Sequence, residues 1–254
     1  MKLLQWSWFI VILGVFALTT FAQTTLSAQE ILQNALNVLY PPIFQAQVRM
    51  ESIQPDTQPV ITEFTLWRKG SDKTLLEVTS EGVAKGQKIL RVGDILVIFF
   101  PNVCKVLPLD TKQPLFGSAF NVGDMARLDL VADYDSTLLG IESVDGPQTQ
   151  AYKLELKAKV ADATYDRILF WVHVDDFMPL KAEFYTQSGK LLNTMSYENP
   201  EELAGRVRPS MLVMTSTVVV GAQTTSTFES MEALNDLPDD MFTEDALLKS
   251  CQNP

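Results

Sequence analysis

Histidine is almost missing from this 254-residue chain, which has one, His173, and cysteine is scarce, with two, Cys104 and Cys251. Three such residues cannot assemble a zinc or iron–sulfur centre by the usual ligand spacings, and a histidine-dependent hydrolase would rest entirely on His173. That residue sits between Val172 and Val174 with no partner motif nearby. Basic residues are also few: 20 against 31 acidic ones, for a net charge of −11. A negative field of that size repels phosphate backbones and argues against a nucleic-acid partner. No loop alternates carboxylates with a glycine as a calcium site requires, and Gly205 and Gly221 read as turn glycines, not a phosphate cradle. Neither catalysis, a metal nor a cofactor is therefore expected. At 46% hydrophobic and 20% charged residues, the composition suits a folded domain with a sizeable core.

Past the N-terminus, no apolar run reaches the roughly 20 residues needed to cross a bilayer. At the N-terminus, Lys2 precedes an apolar run from Trp8 to Leu18, with small residues at Thr20 and Ala22. This order of charge, apolar run and small residues predicts a secretory signal over 1–22, cut after Ala22 or, alternatively, after Ala28. Residues 23–254 then form the mature domain in an oxidising space outside the cytoplasm. No cysteine follows either cut, so no lipid anchor is expected there. Two readings stay open for the cysteines: a bridge closing a long loop, or one buried thiol and one free thiol on the tail.

Ser27 can cap a helix carrying Ile31, Leu32, Ala35, Leu36 and Leu39 on one face, stopped by Pro41–Pro42. Phe44, Ala46, Val48 and Met50 then alternate with polar residues, the pattern of a half-buried strand. Strands follow at hairpin spacing over 60–68, 73–79, 87–92 and 95–100, with Gly70–Ser71 and Gly93–Asp94 as turns. Ile95 to Phe100 is apolar at every position, which predicts cover on both faces. Alternation stops from Lys112 to Asp135, a loop-and-helix segment, and resumes in strands over 137–144, 151–159, 167–174, 180–185, 190–197, 211–219 and 224–234. Thr243 can cap a last helix. About 11–12 antiparallel strands with few helices predict one barrel-like domain.

Three stretches carry a resemblance. The first comprises Leu66-Trp67-Arg68, Gly86 to Asp94 and Phe99-Phe100-Pro101; the second is Leu115-Phe116-Gly117-Ser118-Ala119-Phe120 with Asp124. The third runs from Tyr165-Asp166-Arg167-Ile168 through Trp171-Val172 and Met178-Pro179-Leu180 to Ser188-Gly189-Lys190. In this order they resemble the outer-membrane lipoprotein-sorting, LolA-like family. The resemblance implies an incomplete, unclosed antiparallel β-barrel whose concave face is covered by helices, in a monomeric, periplasmic, non-enzymatic carrier. Such a carrier would take acyl chains of lipoproteins or lipids from an inner-membrane transporter, an ABC-type permease or an RND-type exporter, to an outer-membrane acceptor. The alternative within the fold is a non-transport module that senses lipid or lipoprotein. A basic residue just after Leu66–Trp67 would tie the lid shut, a place met by Arg68 and Lys69.

Physical reasoning reaches a lipid site independently. An open barrel cannot fill its concave face with its own side chains, so helices or a ligand must cover it. Each buried CH₂ of an acyl chain contributes about 0.8 kcal/mol, enough to hold a chain without charge contacts. Strand residues Phe64, Leu66, Leu90 and Phe100 are candidates for the cavity wall. Phe116, Phe120 and Met125, large and apolar in the segment that interrupts the strands, are candidates for the lid.

Overall fold

The computed structural model describes residues 26–252; the expected signal segment 1–22 and its cut after Ala22 lie outside them. Helix α1 (Ala28–Leu39) begins where Ser27 and Glu30 form a reciprocal cap: the Glu30 N–H donates to Ser27 Oγ at 3.2 Å and the Ser27 N–H to Glu30 Oε2 at 2.8 Å. Tyr40 is already extended and Pro41–Pro42 prevents the helix continuing. The predicted apolar face of α1 is buried.

Among the described residues thirteen strands follow in one antiparallel sheet. They are β1 (Ile43–Ile53), β2 (Val60–Lys69), β3 (Lys73–Val78), β4 (Lys88–Val92), β5 (Ile95–Phe100), β6 (Lys105–Pro108), β7 (Tyr134–Ser143), β8 (Gln150–Ala158), β9 (Arg167–His173), β10 (Pro179–Tyr185), β11 (Leu191–Leu203), β12 (Arg206–Ser216) and β13 (Gln223–Ala233). The spatial order runs β6-β5-β4-β3-β2-β1-β13-β12-β11-β10-β9-β8-β7. Consecutive strands therefore pair as hairpins with one exception, β6 and β7, and β1 pairs with both β2 and the last strand, β13. Edge strands β6 and β7 do not pair with each other, so the sheet curls without closing.

The count exceeds expectation because β6 is only four residues long and ends on a proline, too short to show alternation. Strands β11 and β12 are also longer than their apolar runs predicted, since a polar hairpin turning at Ala204–Gly205 extends both.

Alternation divides most of the buried side chains between two cores, beside a small third cluster of Val144, Ala151 and Trp171. The concave face of β1 and β2 presents Phe44, Ala46, Val48, Met50, Phe64 and Leu66 to α1 and to the segment 109–133. The convex face of β3–β5 buries Leu75, Leu90, Val97 and Phe99 against Leu237, Phe242 and Leu247 of the C-terminal segment, which ends in helix α4 (Glu244–Gln252). The two-sided cover expected for β5 is thus present. Cys104 and Cys251 form a disulfide, Cα–Cα 6.0 Å, that fastens α4 beside the β5–β6 connection.

Candidate functional site

After β6 the chain crosses the gap between the two sheet edges and lies over the concavity. The Leu109 N–H donates to the Leu96 carbonyl at 3.0 Å on one side, and Thr111 Oγ1 donates to the Asp162 carbonyl at 2.8 Å on the other. Helices α2 (Val122–Ala126) and α3 (Leu130–Asp133) follow, and Val122, Met125 and Ala126 of α2 turn inward. Gly123 is required for close approach: a Cβ there would overlap the Thr164 hydroxyl. Arg127, just after α2, is a buried clamp. Its guanidinium donates to both Asp133 oxygens at 2.6 and 2.7 Å and also meets Asp162, and these carboxylates hold its pKa above the ordinary range.

Between this lid, α1 and the sheet lies a cavity of about 60 Å³. Its walls are mostly apolar: Leu36 and Leu39 from α1, Phe120 and Leu128 from the lid, and Ile168, Phe170, Ala182, Phe184, Met195 and Leu212 from the strands. Its polar groups are few. The Asp124 carboxyl accepts from the Asn121 N–H at 2.7 Å and from the Tyr165 hydroxyl at 2.8 Å, both at Oδ2. Burial raises its pKa to about 7 despite those two bonds. The Tyr165 backbone N–H donates to Tyr134 Oη at 3.1 Å, and the Tyr134 hydroxyl donates to the Tyr165 carbonyl at 3.0 Å. Tyr40 and Tyr197 also line the cavity; burial pushes the Tyr40 hydroxyl up to about 12 and the Tyr197 hydroxyl well above its usual value.

Of the seven wall and lid candidates, Phe120 lines this cavity. Phe64 and Leu66 face the concave side but lie fully buried in the core beside it, Phe64 with its ring 6.1 Å from that of the half-buried Phe116. Met125 is likewise fully buried and outside the lining. Phe100 has the concave parity but is half-buried at the end of β5, away from the cavity. Leu90 is a correction: Ile89 and Arg91 take the inward positions of β4, and Leu90 packs into the convex core with Leu237, Phe242 and Leu247.

Parity also separates the two basic candidates. Arg68 points to the concave side, its guanidinium 5.9 Å from the Tyr40 ring centroid at the end of α1, and donates to the Gly70 carbonyl at 2.8 Å. Lys69 points to the convex side and pairs with Asp236 at 2.7 Å and Asp239 at 3.1 Å, so it ties down the C-terminal segment and not the lid. His173 Nδ1 bonds Asp176 Oδ1 at 2.8 Å in the β9–β10 turn, away from the cavity. Among the described residues no group of three or more metal-ligating side chains occurs. Asp124 is the functional candidate that residue-by-residue reading missed. Its signal was Asn121-x-x-Asp124, the spacing of a helix cap inside a segment otherwise dominated by apolar residues.

An unclosed antiparallel sheet with a helical lid over an apolar hollow defines a LolA-like binding fold. The structure is similar to a LolA superfamily protein of Nitrosomonas europaea, with 34% identity, TM-score 0.80, and coverage of 87% of this chain and all of that one. It is also similar to a DUF1329 family protein of Desulfovibrio piger (20% identity, TM-score 0.77, 87% and 97% covered). A third similar structure, from Vibrio parahaemolyticus, is described as an outer membrane lipoprotein-sorting protein domain (19% identity, TM-score 0.75, 87% and 98% covered). A family model described as that of an uncharacterised protein matches residues 70–249. No curated protein sequence matches the chain significantly. The chain belongs to the LolA superfamily.

Proposed function

We propose that this protein is a periplasmic carrier that receives the acyl chains of a lipoprotein or lipid from an inner-membrane transporter and releases them towards an outer-membrane acceptor. The transporter would be an ABC-type permease or an RND-type exporter, and the carrier would act as a monomer after removal of its signal peptide. The apolar cavity under the lid carries this reading. The position of Ser27 as the α1 cap favours a cut upstream of it, after Ala22, since a cut after Ala28 would remove the cap. A hollow of about 60 Å³ holds a few atoms, not a chain, so a chain enters only as the hollow widens. Arg68, whose guanidinium lies 5.9 Å from the Tyr40 ring at the end of α1, is the basic residue we assign to holding the lid shut.

The test is binding of an uncharged naphthylamine probe to the purified mature protein and its displacement by lipids. Ala182 is a small residue in the cavity wall, and Ala182→Phe fills the space without unmaking the other walls. Probe affinity should fall tenfold or more. A folded Ala182→Phe protein that binds the probe like the parent, or a parent that binds no probe, would overturn the reading.

A further inference from the structure

Resting on the lipid-cavity reading, we infer that this cavity selects apolar chains ending in a neutral hydrogen-bond donor, a hydroxyl, over chains ending in a carboxylate. Both bonds that Asp124 accepts converge on Oδ2, and among the described residues no bond is recorded to Oδ1. The residue lines the cavity and is not sealed by protein. Tyr40 is more than nine-tenths buried, lines the same space, and its hydroxyl has no hydrogen-bond partner recorded among the described residues. An acceptor and a free hydroxyl thus belong to residues that line one apolar hollow, and a bound hydroxyl would complete both by donating to Asp124 and accepting from Tyr40.

The charges around the hollow decide against an anion. Arg127 is the cation that lines it, and its guanidinium is already engaged by Asp133 and Asp162; Arg68 and Arg208 lie near Tyr40 outside the lining and donate to the Gly70 and Leu39 carbonyls. The other titratable groups bordering it, Tyr40, Tyr134, Tyr165 and Tyr197, are neutral phenols whose pKa values are raised further. Asp124 therefore has no cation of its own, and a second carboxylate brought beside it would be buried against a like charge. A chain ending in a methyl ester fills the same volume but leaves Asp124 Oδ1 unpaired, so it should rank between the two.

Competition against the naphthylamine probe at pH 8.5 tests this with hexadecan-1-ol, methyl hexadecanoate and hexadecanoate, each below its aggregation limit. The alcohol should displace the probe at a concentration about tenfold below the acid, the factor expected of one hydrogen bond to a charged group. In Asp124→Asn the acid should gain affinity and the alcohol lose it until the two are within about threefold; because one arm is a gain of binding, misfolding cannot produce it. Equal displacement by all three lipids in the parent would overturn this inference and leave the lipid cavity standing. Failure of the parent to bind the probe at all would overturn both.

Discussion

Burying Asp124 has a thermodynamic signature that can be measured without any ligand. In the folded chain its carboxyl titrates at about 7, against an ordinary value of 3.8, because burial penalises the ionised form more than the Asn121 and Tyr165 hydrogen bonds favour it. At about 1.4 kcal/mol for each tenfold change in proton affinity, the difference amounts to about 4 kcal/mol. Below the unfolded value both states hold the proton and the group costs nothing. As pH rises from 3.8 towards 7 the unfolded chain releases the proton and the folded chain keeps it, so stability declines through that window. Above it both states are ionised and the loss is constant. Several carboxylates act in the opposite direction, among them Glu142, Glu155 and Asp176, whose pKa values are lowered by their partners. The parent's own profile therefore mixes signs, and the difference between parent and Asp124→Asn isolates the one group. Urea denaturation of both proteins at pH 4.5, 6 and 8, disulfide intact, should show the variant gaining on the parent by about 3 kcal/mol between the extremes. A difference that stays constant across the three pH values would refute the reasoning.

Three further outcomes follow from the lid and its fastening. Arg127→Ala strands the buried Asp133 carboxylate and should destabilise by about 3–5 kcal/mol, with little rescue by Arg127→Lys because a single ammonium lacks the planar fork that meets Asp133 and Asp162 from three nitrogens; chemical denaturation measures it. Gly123→Ala drives a methyl into the Thr164 hydroxyl and should destabilise by about 1–3 kcal/mol, a cost that Gly123→Ala with Thr164→Ala should partly recover in the same assay, since the Thr164 Cβ still lies close. Reducing the Cys104–Cys251 bridge, which closes a loop across a sequence separation of 147, should lower stability by up to about 5 kcal/mol and make amides of 244–252 exchange first, read by hydrogen exchange with mass spectrometry.

Much of the architecture was legible because it follows from local rules. Ser27, the three-to-four spacing behind it and Pro41–Pro42 fix α1, and alternation over Phe44 to Met50 fixes β1. The unbroken apolar run of β5 announced cover on both faces, and α4 with the lid provides it. What alternation cannot supply is which parity is concave. Leu90 and Leu66 read alike in sequence, and only the register of β4 against β3 and β5 sends Leu90 outward. The same ambiguity covered Arg68 and Lys69, adjacent residues that end on opposite faces of β2. The cavity was less legible than the sheet. Its walls come from α1, the lid and β9–β12, segments that only the fold brings together, and its one carboxyl is placed by a bond from Tyr165, 41 residues away.

The unmade ladder between β6 and β7 sets the mechanical character of the molecule. In a closed barrel, widening the lumen means tearing a continuous belt of main-chain bonds or straining every strand in it. Here the belt has a free gap, and the sheet can uncurl about its pairings with all of them kept. The work of enlargement then falls on what spans the gap: the lid segment, held by the Arg127 clamp and by the two anchor bonds at Leu109 and Thr111. Compliance is thereby located in side chains and a loop, where single substitutions can stiffen or soften it, while the thirteen strands keep their register.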